Sequence, residues 1–117
     1  MQVLIVDDDD IVRTTLADLI RGWGYEAWGV PHGRAAIEYL DDLENPRPNL
    51  IILDGRMPVM NGEEFLLYRE QHESLRSIPV VVFSATASEI PCSSAQGYVA
   101  KPFVGQVRPY VEKFCSI

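Results

Sequence analysis

Apolar residues gather in five short runs separated by polar, turn-rich stretches: Val3 to Val6, the segment around Glu26 to Val30, Leu50 to Leu53, Val80 to Phe83, and Tyr98 to Ala100. Runs such as Val3-Leu4-Ile5-Val6 and Leu50-Ile51-Ile52-Leu53 do not alternate polar with apolar residues, so they predict strands buried on both faces, as in a parallel sheet. Between the runs the period changes. Val12, Leu16, Leu19, Ile20 and Trp23 recur at helical spacing, with Gly22 or Gly24 as the stop. Ala36, Ile37, Leu40 and Leu43 predict a second helix, ended by Asn45-Pro46-Arg47-Pro48, and a third runs from about Gly62 to His72 with Phe65 and Leu66 inward. Val107, Val111 and Phe114 predict a last helix, and Pro109 fits it only in the first turn, so its start falls near Gln106 to Arg108. Strands alternating with helices make five βα units, hence a mostly parallel sheet covered by helices on both faces.

One crossover is short. Only Ala85 to Gly97 separate the fourth strand from the fifth, close to the minimum for a parallel connection. Its helix is therefore expected to have one or two turns, with Ser88 as a candidate cap and Pro91 in the first turn.

The chemistry lies where the apolar runs end. Asp7 to Asp10 follow the first run and Asp54 follows the third, at the carboxyl ends where open α/β sheets place their ligand sites. Carboxylates crowded beside a water-poor core repel one another. A hard divalent cation such as Mg2+, held by oxygen ligands, keeps them ionised.

Composition narrows the classes. The 117 residues, 47% of them hydrophobic, suffice for a single domain spanning 1–117. A net charge of −7 argues against a nucleic-acid surface, which needs clustered Lys and Arg. No apolar stretch approaches the roughly 20 residues of a membrane span, and aspartates stand early in the chain where a signal peptide is basic and then apolar, so a cytoplasmic location is expected. Cys92 and Cys115 have no metal-site spacing and are expected as free thiols.

Four motifs in order then carry a resemblance: Leu4-Ile5-Val6-Asp7-Asp8-Asp9; Leu53-Asp54-Gly55-Arg56-Met57-Pro58 continuing to Asn61-Gly62; Phe83-Ser84-Ala85; and Gly97-Tyr98-Val99-Ala100-Lys101-Pro102-Phe103. Over essentially its whole length the chain resembles the receiver domain of two-component response regulators. The resemblance implies a doubly wound, flavodoxin-like (βα)5 fold with strand order 2-1-3-4-5, from which the shortened fourth-crossover helix departs. It makes Asp54 the phosphoryl acceptor, Asp8 a direct Mg2+ ligand, Asp7 an acid orienting metal-bound water, and the backbone carbonyl of Arg56 a further ligand. Lys101 becomes the charge on a phosphoryl oxygen, Ser84 the switch hydroxyl, Tyr98 the aromatic that moves with it, and Pro102 the family's cis bond. Arg56 and Thr86 fall where the family tunes phosphate lifetime. The implied partners are a histidine kinase or phosphotransfer protein as donor and an effector domain or protein downstream, with no nucleic acid and no membrane. The only implied chemistry is Mg2+-dependent self-phosphorylation and autodephosphorylation.

Blander readings of the same residues stand beside these. Asp7 and Asp8 can cap the first helix, though capping needs one residue and leaves Asp54 and Lys101 unexplained. Asp9 and Asp10 suit the helix end and the surface, with Asp10 the candidate N-cap. Lys101 can be a solvated edge charge, and Tyr98 a half-buried edge aromatic. At the level of function the competitors are a pseudo-receiver that binds partners without phosphorylation and a small aspartyl-phosphate phosphohydrolase. The latter lacks an insertion long enough to shape a substrate pocket.

Overall fold

Neither Val3 to Val6 nor Leu50 to Leu53 has a polar face, because each strand is covered by helices on both sides. The structure, a computed structural model, describes residues 2–55, 59–85, 95–101 and 104–115. In chain order the elements are β1 (Gln2–Val6), α1 (Asp10–Gly22), β2 (Glu26–Val30), α2 (Gly33–Asp41), β3 (Leu50–Leu53), α3 (Gly62–Glu70), α4 (Glu73–Arg76), β4 (Val80–Ser84), β5 (Gly97–Ala100), a 3-10 turn (Val104–Val107) and α5 (Arg108–Phe114). The five strands form one parallel sheet in the order β2-β1-β3-β4-β5. Chain order reverses between β1 and β3, which makes the carboxyl ends of these two strands the sheet's switch point.

Successive residues of each strand point to opposite faces, and the core divides accordingly. Val3, Ile5, Leu50, Ile52, Val81 and Phe83 pack with Leu16 and Ile20 of α1 and Val111 of α5. Leu4, Val6, Ile51, Leu53, Val80 and Val82 pack with Ile37 and Leu40 of α2 and Phe65 and Leu66 of α3. Among the described residues no helix is long and apolar enough to cross a membrane.

At several boundaries local hydrogen bonding overrides the apolar period. The cap of α1 is Asp9, whose carboxylate accepts from the amides of Ile11 and Val12, while Asp10, the expected cap, is the first helical residue. Helix α2 stops at Asp41, two residues before Leu43. Asp42 accepts from the amide of Glu44, and the Asn45 side chain donates to the carbonyl of Tyr39, so the chain turns and leaves Leu43 93% exposed. Helix α3 ends at Glu70 rather than His72, and the unexpected short α4 follows. Arg69, 3% exposed, holds this connection by donating from Nε and Nη2 to the carbonyl of Ile78 and from Nη2 to that of Arg76. Pro109 lies in the first turn of α5, with Val107 and Val111 buried and Phe114 partly so. The crossover between β4 and β5, including Ser88 and Pro91, falls largely outside the described residues.

Among the described residues no strand pairs with the outer edge of β2 or β5. On β2 one arginine of α1 reaches that edge, Arg21 Nη2 donating to the carbonyl of Ala27 at 2.7 Å, while the aliphatic part of Arg13 lies over Gly29 on the face that α1 covers.

Candidate functional site

Asp7 and Asp54 each follow a central strand and continue its hydrogen-bond ladder. The Asp7 amide donates to the carbonyl of Val30 at 3.1 Å, and the Asp54 amide to that of Val6 at 2.8 Å. Both side chains are thereby fixed at the switch point and buried, with Asp7 2% and Asp54 5% exposed. Asp8, one residue on, is exposed. One carboxylate oxygen from each of Asp7, Asp8 and Asp54 lies within 4.8 Å of the other two. Three hard oxygen donors from two strand ends fit a small divalent cation, and the burial of Asp7 and Asp54 beside a parallel sheet gives the negative charge a reason to attract one.

Lys101, just past β5, extends across β4 and β3 to the same point. Its amide donates to the carbonyl of Ser84 at 3.3 Å, and its Nζ lies 2.9 Å from Asp7 Oδ2 and 3.4 Å from Asp54 Oδ1. Burial by itself would lower the pKa of this ammonium. The hydrogen bond to Asp7 and the charges of Asp54 and Asp7 outweigh it and hold the lysine above its ordinary value. The Phe83 ring, its centroid 6.0 Å from Nζ, forms one wall beside the lysine. With Ile11, Val12, Thr15 and Val104 it lines a cavity of about 280 Å3 that opens next to the site.

The loop after β3 is shaped around Asp54. Asn61 caps α3 by accepting from the Glu64 amide, while the Glu64 side chain accepts from the Asn61 amide. This brings Gly62 so close that a Cβ there would stand 2.6 Å from the Asp54 carbonyl oxygen. Met60 in turn accepts a hydrogen bond from the Gly33 amide, joining the loop to the start of α2. Val59 takes a φ of 69°, a left-handed conformation that a β-branched residue enters only under strain.

Of the residues singled out in the sequence, Asp7, Asp8, Asp54 and Lys101 converge. Ser84 ends β4, 2% exposed, with its carbonyl on the Lys101 amide. Tyr98 stands on β5 opposite Val82, 40% exposed. Arg56, Thr86 and Pro102 lie outside the described residues, as does Cys92, whereas Cys115 is a buried free thiol. Sequence reasoning missed Arg13, whose Nη1 donates to the backbone carbonyl of Asp7 at 2.7 Å. It placed Gly62 in a motif and at a helix start but gave it no contact with Asp54. An Asn-Gly pair after Met-Pro reads as turn chemistry, and nothing in it announces a close approach to Asp54.

The model of the response regulator receiver domain matches residues 3–107. The chain belongs to the response regulator receiver family. Receiver domains work in two-component signalling, where phosphorylation of an aspartate is the family role. The polar-differentiation response regulator DivK of Brucella anthropi is 29% identical, the match covering 93% of this receiver domain and 94% of DivK. A 3',5'-cyclic-nucleotide phosphodiesterase, regA of Dictyostelium discoideum, is 28% identical over 92% of this chain, which spans only 14% of the phosphodiesterase's length. Among solved structures, the signal receiver domain of a histidine kinase from Syntrophus aciditrophicus superposes with a TM-score of 0.85 at 27% identity, covering 98% of this chain and 89% of that one. The receiver domain of sensor histidine kinase PA1611 from Pseudomonas aeruginosa shares the fold, with a TM-score of 0.82 at 24% identity over 99% of this chain and 98% of its own. That structure holds a magnesium ion coordinated in its active-site cleft.

Proposed function

We propose that residues 1–117 form one receiver domain that accepts a phosphoryl group on Asp54, with Mg2+, from the phosphohistidine of a cytoplasmic histidine kinase or phosphotransfer protein, and that a downstream effector reads the product. The observation that carries this reading is the convergence of three carboxylates within 4.8 Å, with the Lys101 ammonium 2.9 Å from Asp7 and 3.4 Å from Asp54. A capping role for the acids accounts for none of the contacts to Lys101.

Each residue then has a part. An Asp54 oxygen forms the new O–P bond as the P–N bond of phosphohistidine breaks, and the electron pair stays on the imidazole nitrogen. Asp8 and Asp54 would hold Mg2+ directly, Asp7 through water, and the Arg56 carbonyl would complete the set. Bound there, Mg2+ neutralises charge between the nucleophile and the phosphoryl oxygens. Lys101 keeps its contact with Asp7 and exchanges the Asp54 carboxylate for a phosphoryl oxygen. Ser84 donates its hydroxyl to another phosphoryl oxygen, Tyr98 shifts with it, and the altered β4–β5 surface biases a two-state equilibrium. Arg56 and Thr86 set the rate at which water removes the group. Self-phosphorylation from small donors and autodephosphorylation are the only reactions in this reading.

Incubation with acetyl phosphate tests it. One phosphoryl mass should be added, only with a divalent metal, at Asp54, and hydroxylamine should remove it. A stoichiometric label on Asp54→Ala, or one stable to hydroxylamine, assigns the acceptor elsewhere.

A further inference from the structure

Arg13 lies on the first turns of α1, its side chain only 20% exposed. Nη1 donates to the backbone carbonyl of Asp7 at 2.7 Å, and Nη2 pairs with Asp10. The other polar atoms of Asp7 are held separately: its amide by Val30, Oδ1 by the Asp9 amide at 2.9 Å, and Oδ2 by Lys101. Arg13 thus supplies the constraint on the side of the turn that leads to Asp8. A peptide unit is planar, so the carbonyl oxygen of Asp7 and the amide nitrogen of Asp8 rotate together. Holding that oxygen fixes the plane that carries the Asp8 nitrogen and Cα, and with the Asp9 amide bonded to Asp7 Oδ1 it limits the directions in which the Asp8 side chain departs.

Gly29 leaves room for the Arg13 stem. A Cβ at this position would stand 3.0 Å from Cδ, 3.3 Å from Cγ and 3.5 Å from Cβ of Arg13. Glycine weakens a strand interior and marks places where another group approaches the backbone closely. Here the approaching group is the stem of Arg13.

We propose that Arg13 is a positioning residue for the cation site, acting through the Asp7–Asp8 peptide to aim the Asp8 carboxylate at Asp7 and Asp54. The inference rests on the reading of Asp8 as a cation ligand. Its consequence has a sign that a simple charge effect cannot imitate. A guanidinium beside four aspartates repels a divalent cation, so deleting its charge alone tightens binding. Deleting a group that orients a ligand weakens binding, by about tenfold or more for partners behind the ligands of a metal site.

Calorimetric Mg2+ titrations of the wild type, Arg13→Ala, Arg13→Lys, Gly29→Val and Asp8→Ala, with urea melts to confirm that each is folded, test the proposal. Arg13→Ala and Gly29→Val should each weaken Mg2+ by about tenfold, Asp8→Ala should abolish binding, and Arg13→Lys, which keeps one donor, should recover part of the loss. Binding by Arg13→Ala that is unchanged or tighter overturns the proposal. If that variant fails to fold, Gly29→Val decides, because it leaves every acid and the guanidinium charge in place, and wild-type affinity there overturns it equally. If the folded wild type takes up no Mg2+, the cation reading is what fails. Positioning is then judged in the metal-free protein from the Asp8 amide resonance, which should move in both Arg13→Ala and Gly29→Val; an unmoved resonance overturns it.

Discussion

Gly62 lies against the backbone of Asp54 so closely that its missing Cβ would meet the Asp54 carbonyl oxygen at 2.6 Å. The first turn of α3 thus rests directly on the peptide that carries the proposed acceptor. A methyl group there must push backbone against backbone, since no flexible side chain is available to give way. Gly62→Ala is expected to lower stability by about 1 to 3 kcal/mol and to slow labelling of Asp54 by acetyl phosphate. Urea melts and the labelling rate report the two effects, and a variant equal to wild type in both would show that the contact is looser than described.

Val59 offers the opposite case. It is 68% exposed, so it contributes little burial, yet its φ of 69° is one that β-branched residues avoid. Asparagine tolerates this region far better. Val59→Asn should therefore raise the urea midpoint, by up to about 1 kcal/mol in stability. A lowered midpoint would mean that the valine side chain is held by contacts worth more than the strain.

Lys101 is a counter-charge within hydrogen-bonding reach of two buried carboxylates. Removing one partner of a buried ion pair leaves the charge of the other less compensated, although the partial exposure of the lysine reduces the cost. Lys101→Met should destabilise the metal-free protein by on the order of 2 kcal/mol and increase its affinity for Mg2+. Melts in chelator and in saturating Mg2+ should differ more for the variant than for wild type. Equal differences would remove Lys101 from the charge balance of the site.

Burial pushes the Cys115 thiol above its ordinary pKa. The folded state therefore binds this proton more tightly than the unfolded chain does. The resulting stability is fully present below the thiol's unfolded value of about 8.5 and is lost as pH rises toward and through the folded value. In a Cys92→Ser background, melting temperature should fall more steeply above that point with Cys115 than with Cys115→Ala. Parallel profiles would show that the thiol titrates as freely in the fold as out of it.

The sheet and its acids were legible because they follow from long-range patterns. Runs buried on both faces predict a parallel sheet, and acids at the ends of two central strands predict a site at its carboxyl edge. What the chain concealed was decided by single hydrogen bonds. Leu43 continues the apolar period of α2, but Asp42 and Asn45 bond to the local backbone and end the helix first. Any of four successive aspartates can cap α1, and the choice of Asp9 depends on the turn that Asp7 makes with it. Arg13 reads in sequence as one more charge on the polar side of a helix, because only the fold places Gly29 and the Asp7 carbonyl beside it.

The hold of Arg21 on Ala27 reaches beyond the site. In β2 the residues that bond inward to β1 alternate with Ala27 and Gly29, whose backbone groups point outward and would be the first to recruit a foreign strand. At Ala27 that acceptor is already taken by a guanidinium at 2.7 Å. A strand arriving from another chain would have to break a charge-assisted hydrogen bond before making its first ladder bond there. The helix that begins at the acids thus also guards the open side of the sheet against sticking to its neighbours.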